Sequence, residues 1–276
     1  AIADLSLEKI EKISKNFKPE MFSTGIDLIS SADVDVIDIC LPTNLHASHA
    51  ILAMQKGYDI FIEKPVCLNM QEALHLLQVQ KETNAKVAVG HCIRFWNEYK
   101  YLKEIIDNNK LGNLCNISLK RVSPKPSWSW DNWLLDETRS GGAVLDLHIH
   151  DVDFAGYILG YPNKIHAKIS GQDKRNDHIY SIFEYDNTLV SLEGGWDYPL
   201  VFPFEMSYQA IFEKGCITFS SCRNKTIHVY ENNGLSYFPE FEQSIEKSDE
   251  ETGGNISSLG GYYNELKYFV ECILND

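Results

Sequence analysis

The apolar positions in the first third of the chain alternate between two periods. Leu7, Ile10, Ile13 and Phe17 recur at the spacing of one helix face. Ser6 is placed to cap that helix, with Glu8 and Glu11 in its early turns. Short apolar runs over 1–3, 21–23, 34–40, 58–64 and 86–89 read as strands, and the stretches 7–17, 26–31, 45–55 and 70–83 between them as helices. The runs 34–40 and 58–64 are apolar almost throughout, as expected where a parallel sheet is covered on both faces. Pro65 has no amide to give to a ladder, so its strand ends at Lys64. Strand–helix alternation of this kind predicts a doubly wound parallel sheet with right-handed crossovers.

Past Gly90 the pattern changes. A helix is expected over 94–107 and a half-buried strand, alternating in-and-out, over 116–122. A loop rich in Pro and Trp follows, then Gly141-Gly142, a helix over 144–159 closed by Gly160, and strand-like runs over 164–170, 178–184, 188–193, 204–212 and 216–220. A last helix is expected over 262–274, and the polar stretch 246–255 reads as a mobile loop. Strands in succession after a βαβ block predict an α+β domain with a large, mostly antiparallel sheet. The expected division is 1–93, a Rossmann-like dinucleotide-binding domain, and 94–276, a domain for substrate binding and oligomerisation.

One part of the first domain is not in the sequence. A dinucleotide-binding fold opens strand–GxGxxG–helix, with an acid about 20 residues past the glycines. Asp4 stands where that acid belongs, and no GxGxxG occurs in the 276 residues. The expectation is a Rossmann sheet incomplete at its N-terminus, its first strand and glycine loop missing. The net charge of −14 argues against a nucleic-acid backbone as partner. No apolar run is long enough for a membrane span. Seven cysteines without a CxxC read as reduced thiols, which points to the cytoplasm.

Two stretches carry candidate chemistry. Glu63-Lys64-Pro65 puts an ammonium at the C-terminal end of a parallel strand, where such sheets bind ligands; as a surface ion pair it would matter little. In 146–153, Asp146, His150 and Asp153 fall at i, i+4 and i+7 of the expected helix, on one face. A histidine between carboxylates suits general acid/base work. The same segment is open to a packing role for the histidine, to a metal site using His148, His150 and Asp151, and to a solvated acidic face.

Glu63-Lys64-Pro65 and Asp146-x-x-x-His150, together with Thr43-Asn44-x-His46, Gly90-His91-x-x-Arg94-Phe95 and Gly141-Gly142, resemble the Gfo/Idh/MocA oxidoreductases, which include inositol dehydrogenase and glucose–fructose oxidoreductase. The resemblance runs in order from Asp4 to about Gly160. It implies an NAD(P)-dependent dehydrogenase that moves a hydride between nicotinamide and the hydroxyl-bearing carbon of a sugar, inositol or related polyol. It implies that Lys64 meets the reacting hydroxyl and the nicotinamide ribose, that His150 exchanges the hydroxyl proton, and that Asp146 orients substrate or histidine. Thr43, Asn44 and His46 would line the cofactor, with Glu63 in support. Asp4 would hold the adenosine ribose and favour NAD over NADP, since a carboxylate repels a 2′-phosphate.

His91 and Arg94 are candidates for cofactor or substrate contact, and Arg94 serves equally as a structural ion-pair partner. Trp128, Trp130, Trp133 and Trp196 could each pack against a sugar ring or simply fill core, and Tyr263 is a further substrate candidate. The expected assembly is a homo-oligomer, dimer or tetramer, formed through the C-terminal sheet. Two other readings remain open from sequence: a non-catalytic sugar-binding or regulatory protein of the same fold, and a metal-dependent hydrolase.

Overall fold

The computed structural model describes residues 1–14, 17–170, 176–241 and 260–275. The expected loop at 246–255 lies outside them. The chain divides into two compact units, Ala1–Gly90 together with the chain from Glu271, and His91–Val270.

In the first unit the elements follow in order: β1 (Ile2–Ala3), α1 (Leu7–Ser14), β2 (Met21–Phe22), α2 (Gly25–Ser31), β3 (Val36–Ile39), α3 (Thr43–Gln55), β4 (Asp59–Glu63), α4 (Met70–Thr83) and β5 (Val87–Gly90). All pairings are parallel: β1 with β2, and β3 with β4 and β4 with β5. Ile60 and Ile62 of β4 are fully buried, packed with Ile37, Ile39, Ala50, Ala53 and Val79. That two-sided burial is why the run carries no alternation. Two helices begin on side-chain caps, Thr24 accepting from the Asp27 amide and Asn69 from that of Glu72.

The strands form two sheets rather than one, β1-β2 and β3-β4-β5. A cavity of about 560 Å³ lined by Ile2, Asp4, Val36, Ile37, Ile39 and Cys40 lies against both β1 and β3.

The second unit opens with a 3-10 turn at Cys92–Phe95. It continues through α5 (Asn97–Asp107), β6 (Leu114–Pro124), a second 3-10 turn at Trp130–Leu135, α6 (Glu137–Ser140), α7 (Gly142–Asp146) and α8 (Ile149–Leu159). Next come β7 (Lys164–Ser170), β8 (His178–Glu184), β9 (Leu189–Tyr198), β10 (Glu205–Phe212), β11 (Gly215–Ser220), β12 (Ile227–Glu231), β13 (Ser236–Tyr237) and α9 (Gly260–Leu274), which runs on past Val270. One sheet of eight strands, in the order β13-β12-β11-β10-β6-β9-β8-β7, is antiparallel except for the β6–β9 pair. One face is core: Ile117, Leu119, Val190, Leu192, Tyr208 and Phe219 pack with Tyr99, Leu102 and Ile105 of α5 and Phe154 of α8. The opposite face carries Ser118, Lys120, Ser191 and Glu193 in alternation.

Two expectations are corrected here. The helix expected over 144–159 is two helices, broken at Leu147-His148. The strands β12 and β13 went unread: Ile227 and Val229 are buried, but the run is short and lies beside the Asn232-Asn233-Gly234 turn.

Gly215 sits where β11 meets β12. A Cβ there would come within 2.3 Å of the Tyr230 carbonyl oxygen, a backbone atom that cannot swing aside. Gly215→Ala is expected to destabilise by about 1–3 kcal/mol, seen as a lower urea midpoint. An unchanged midpoint would mean that the β11–β12 pair slides to make room.

Candidate active site

The first unit supplies strand ends. β3 stops at Ile39, and the chain turns through Leu41-Pro42 into α3, whose first residues are Thr43 and Asn44. Thr43 is buried, and its hydroxyl has no hydrogen-bond partner among the described residues; Asn44 is exposed. β4 stops at Glu63, followed by Lys64 and a cis peptide to Pro65. The Glu63 carboxylate accepts the Lys64 amide at 3.1 Å. Across the ladder from Glu63 lies Gly90, where a Cβ would press on that carboxylate at 3.3 Å.

His46 ties the two loops together. Its ring is buried, with Nδ1 2.8 Å from the Pro65 carbonyl oxygen and Nε2 2.7 Å from that of Leu41. Both nitrogens are thus taken by backbone, and the side chain acts as a brace between the ends of β3 and β4. Burial lowers its pKa, against the two carbonyls, which raise it. Asp4 follows β1, accepts the Ser6 amide at 2.7 Å and lines the cavity beside Asp38 and His49.

The second unit carries the other group of candidates. Asp146 is the last residue of α7 and His150 lies in the first turn of α8; both are half-buried. His150 and Asp153 stay one turn apart on α8, while Asp146 lies across the interruption at Leu147-His148. Asp153 receives Arg94: Nε donates to Oδ2 at 2.8 Å and Nη2 to Oδ1, with His91 Nε2 3.4 Å from Oδ1. The Arg94 guanidinium also lies 4.6 Å over the Tyr157 ring. His91, Arg94 and Asp153 therefore form one cluster, and Arg94 has the structural partner that was one of its two sequence readings.

Among the tryptophans, Trp196 is core, 2% exposed, its indole N–H donating to Asp177 at 2.9 Å. Trp128 and Trp130 are exposed, and Trp133 is half-buried in the second 3-10 turn. Tyr263 is half exposed on α9.

The metal reading loses its ligands. His148 is buried with Nε2 2.9 Å from the Ser181 hydroxyl, and Asp151 is fully buried against Arg121. Among the described residues no three His, Cys, Asp or Glu side chains are grouped to hold a metal ion.

Residues 1–91 match the model of the oxidoreductase family with an NAD-binding Rossmann fold, and residues 99–218 match that of the GFO/IDH/MocA C-terminal domain. The chain belongs to the Gfo/Idh/MocA oxidoreductases. A myo-inositol 2-dehydrogenase of Thermotoga maritima is 29% identical over 58% of the chain and 47% of its own length. The scyllo-inositol 2-dehydrogenase (NAD(+)) of Bacillus subtilis is 24% identical over 97% and 76%. A levoglucosan dehydrogenase solved with NADH and levoglucosan superposes with a TM-score of 0.76 at 21% identity, covering 88% of this chain and 70% of that one. Three of the curated relatives, the Thermotoga enzyme included, are matched over only 41–55% of their length.

Within this family member, sequence reading passed over Arg121, Tyr99 and Ser181 behind α8, and named their partners Asp151 and His148 only as candidate metal ligands. One signal was available. Ile117, Leu119 and Arg121 share a face of β6, so the alternation that buries two apolar residues also buries an arginine.

His46 and His148 both have pKa values lowered chiefly by burial, below the ordinary 6.5. Below about pH 6.5 the unfolded chain takes up protons that the folded chain resists, so stability falls as the solution is acidified toward the folded values. Urea midpoints across a pH series should decline on that side, and His148→Gln should decline less steeply. Identical slopes would remove His148 as a contributor.

Proposed function

We propose that this chain carries the reactive side chains of an NAD-dependent oxidoreductase acting on a hydroxyl-bearing carbon of a sugar, inositol or related polyol. The observation that carries the reading is Lys64 at the C-terminal end of β4, in a loop braced by His46, in a family whose named relatives include inositol dehydrogenases.

The residues present fit part of the cofactor. Asp4 offers a carboxylate at a strand end beside a cavity, suited to ribose hydroxyls and unfavourable to a 2′-phosphate. Thr43 offers a buried hydroxyl that has no hydrogen-bond partner among the described residues, with Asn44 beside it. Glu63 holds the Lys64 amide, and His46 acts through the loops it braces. His91 lies in the Asp153 cluster, on the cofactor side of this reading. The pyrophosphate cradle is not supplied by any GxGxxG in these residues. When bound, the nicotinamide supplies the hydride acceptor.

The protein's part is to manage the proton and the charge. As the carbon loses hydride, the hydroxyl must lose a proton. The Lys64 ammonium stabilises the negative charge growing on that oxygen. The His150 imidazole accepts the proton, and Asp146 orients the substrate or the histidine. Arg94, Trp133 and Tyr263 would bound the substrate, Arg94 through the cluster it forms with Asp153.

The open sheet face supports a homo-oligomer. Tyr180, Ile182, Leu189 and Ile211 are each exposed by 42–53% on it, interleaved with polar residues, and an apolar face of that kind is a pairing surface. Seven thiols without a disulfide fit a reducing, cytoplasmic setting.

Three measurements test this. Fluorescence titration should give saturable binding that favours NADH over NADPH, and Lys64→Ala and His150→Ala should each lower turnover of an inositol or hexose panel about 10²–10⁴-fold with the fold intact. Near-native rates in both variants would end the dehydrogenase reading. In light scattering the protein should be a dimer or tetramer, and Ile182→Glu should shift it toward monomer. A native protein already monomeric would remove the oligomer assignment alone.

A further inference from the structure

The second unit buries a full charge pair. Arg121 is 2% exposed and Asp151 is fully buried. Arg121 Nε donates to Asp151 Oδ2 at 2.9 Å, and Nη2 donates to Oδ1 at 3.1 Å and to the Tyr99 hydroxyl at 3.0 Å. Tyr99 is in turn wedged edge-on against Phe154, Tyr208 and Phe219. Burying such a pair gains little, and apolar replacements of both partners are commonly as stable or more so. A retained pair of this kind is better explained by the geometry it imposes.

That geometry falls on His150. α7 and α8 meet at Leu147-His148, where the backbone keeps right-handed helical angles but the His148 N–H reaches back to the Ala143 carbonyl, one residue further than in a regular helix. Two buried polar contacts hold the turn that follows. His148 is held to Ser181 of β8, and a Cβ at Gly194 of β9 would come within 2.8 Å of its ring. Asp151 is held by the planar fork of Arg121 from β6. His150 lies between these two anchored residues.

We propose that Arg121, acting through Asp151 with Tyr99 as its brace, is a positioning residue that fixes the orientation of the His150 imidazole. The proposal rests on the reading of His150 as proton acceptor only for its consequence in turnover; the orientation can be tested without substrate or cofactor.

The test follows the side-chain ¹⁵N–¹H signals of His150 through a pH titration, assigned by their loss in His150→Gln, in the full chain. The variants are Arg121→Met/Asp151→Leu, which removes both charges at similar volume, and Arg121→Lys, which keeps the charge but cannot reproduce the fork. Thermal unfolding accompanies each.

The expected result for the double variant is an unfolding temperature close to native, with the His150 midpoint moved on the order of half a pH unit or its signal split. Arg121→Lys should not restore the native signal. A native His150 signal in either folded variant overturns the proposal, leaving the pair as packing. If the double variant does not fold, Arg121→Lys alone decides. A shifted signal in a protein whose His150→Ala variant keeps full turnover would uphold the positioning and sink the catalytic reading.

Discussion

A guanidinium shut away from water must find its countercharge inside the protein, and Arg121 finds it in Asp151. Removing one partner would leave an uncompensated buried charge, a loss of about 3–5 kcal/mol. The pair therefore locks β6 to α8 in one register. Around it the rest of the second unit closes: Tyr99 brings in α5, Phe154 packs on Tyr99, and Tyr208 and Phe219 bring in β10 and β11. One inward-facing polar residue on the central strand thus sets how both helices lie on the sheet.

The first unit solves a related problem with backbone groups. Parallel strands end in carbonyls and amides that nothing in the ladder satisfies, and ligands gather at those ends. His46 takes up one carbonyl from each of two such ends, Leu41 after β3 and Pro65 after β4. Glu63 takes up the next amide, with Gly90 making space for its carboxylate. The loop that carries Lys64 is held by side chains from α3 and β4 before any ligand arrives.

Much of this was legible in the residues. The near-continuous apolar runs of β3 and β4 announced a parallel sheet, and the alternation through β6 announced a half-buried one. Lys64 and its strand end followed from Pro65. Less legible were features that depend on partners distant in sequence. Asp153 does lie one turn from His150 on α8, but helical spacing says nothing of which cation a carboxylate will meet. The αL glycines at 141 and 142 signalled only where α7 begins, not where it ends. Asp153 turned to Arg94, 59 positions earlier, and Asp151 to Arg121, 30 positions earlier. No local period encodes such pairings. The family resemblance gave His46 as a cofactor contact; its surroundings, two carbonyls at hydrogen-bond distance, became visible only in three dimensions.

The placement of Asp4 rests on a short pairing and a local contact. β1 and β2 are two residues long each, and a two-stranded sheet of that size has little stability of its own. The Asp4 carboxylate is held just beyond it by the chain's own turn into α1, where it accepts the Ser6 amide at 2.7 Å. The orientation of the acid therefore depends on that turn as much as on the strand that precedes it.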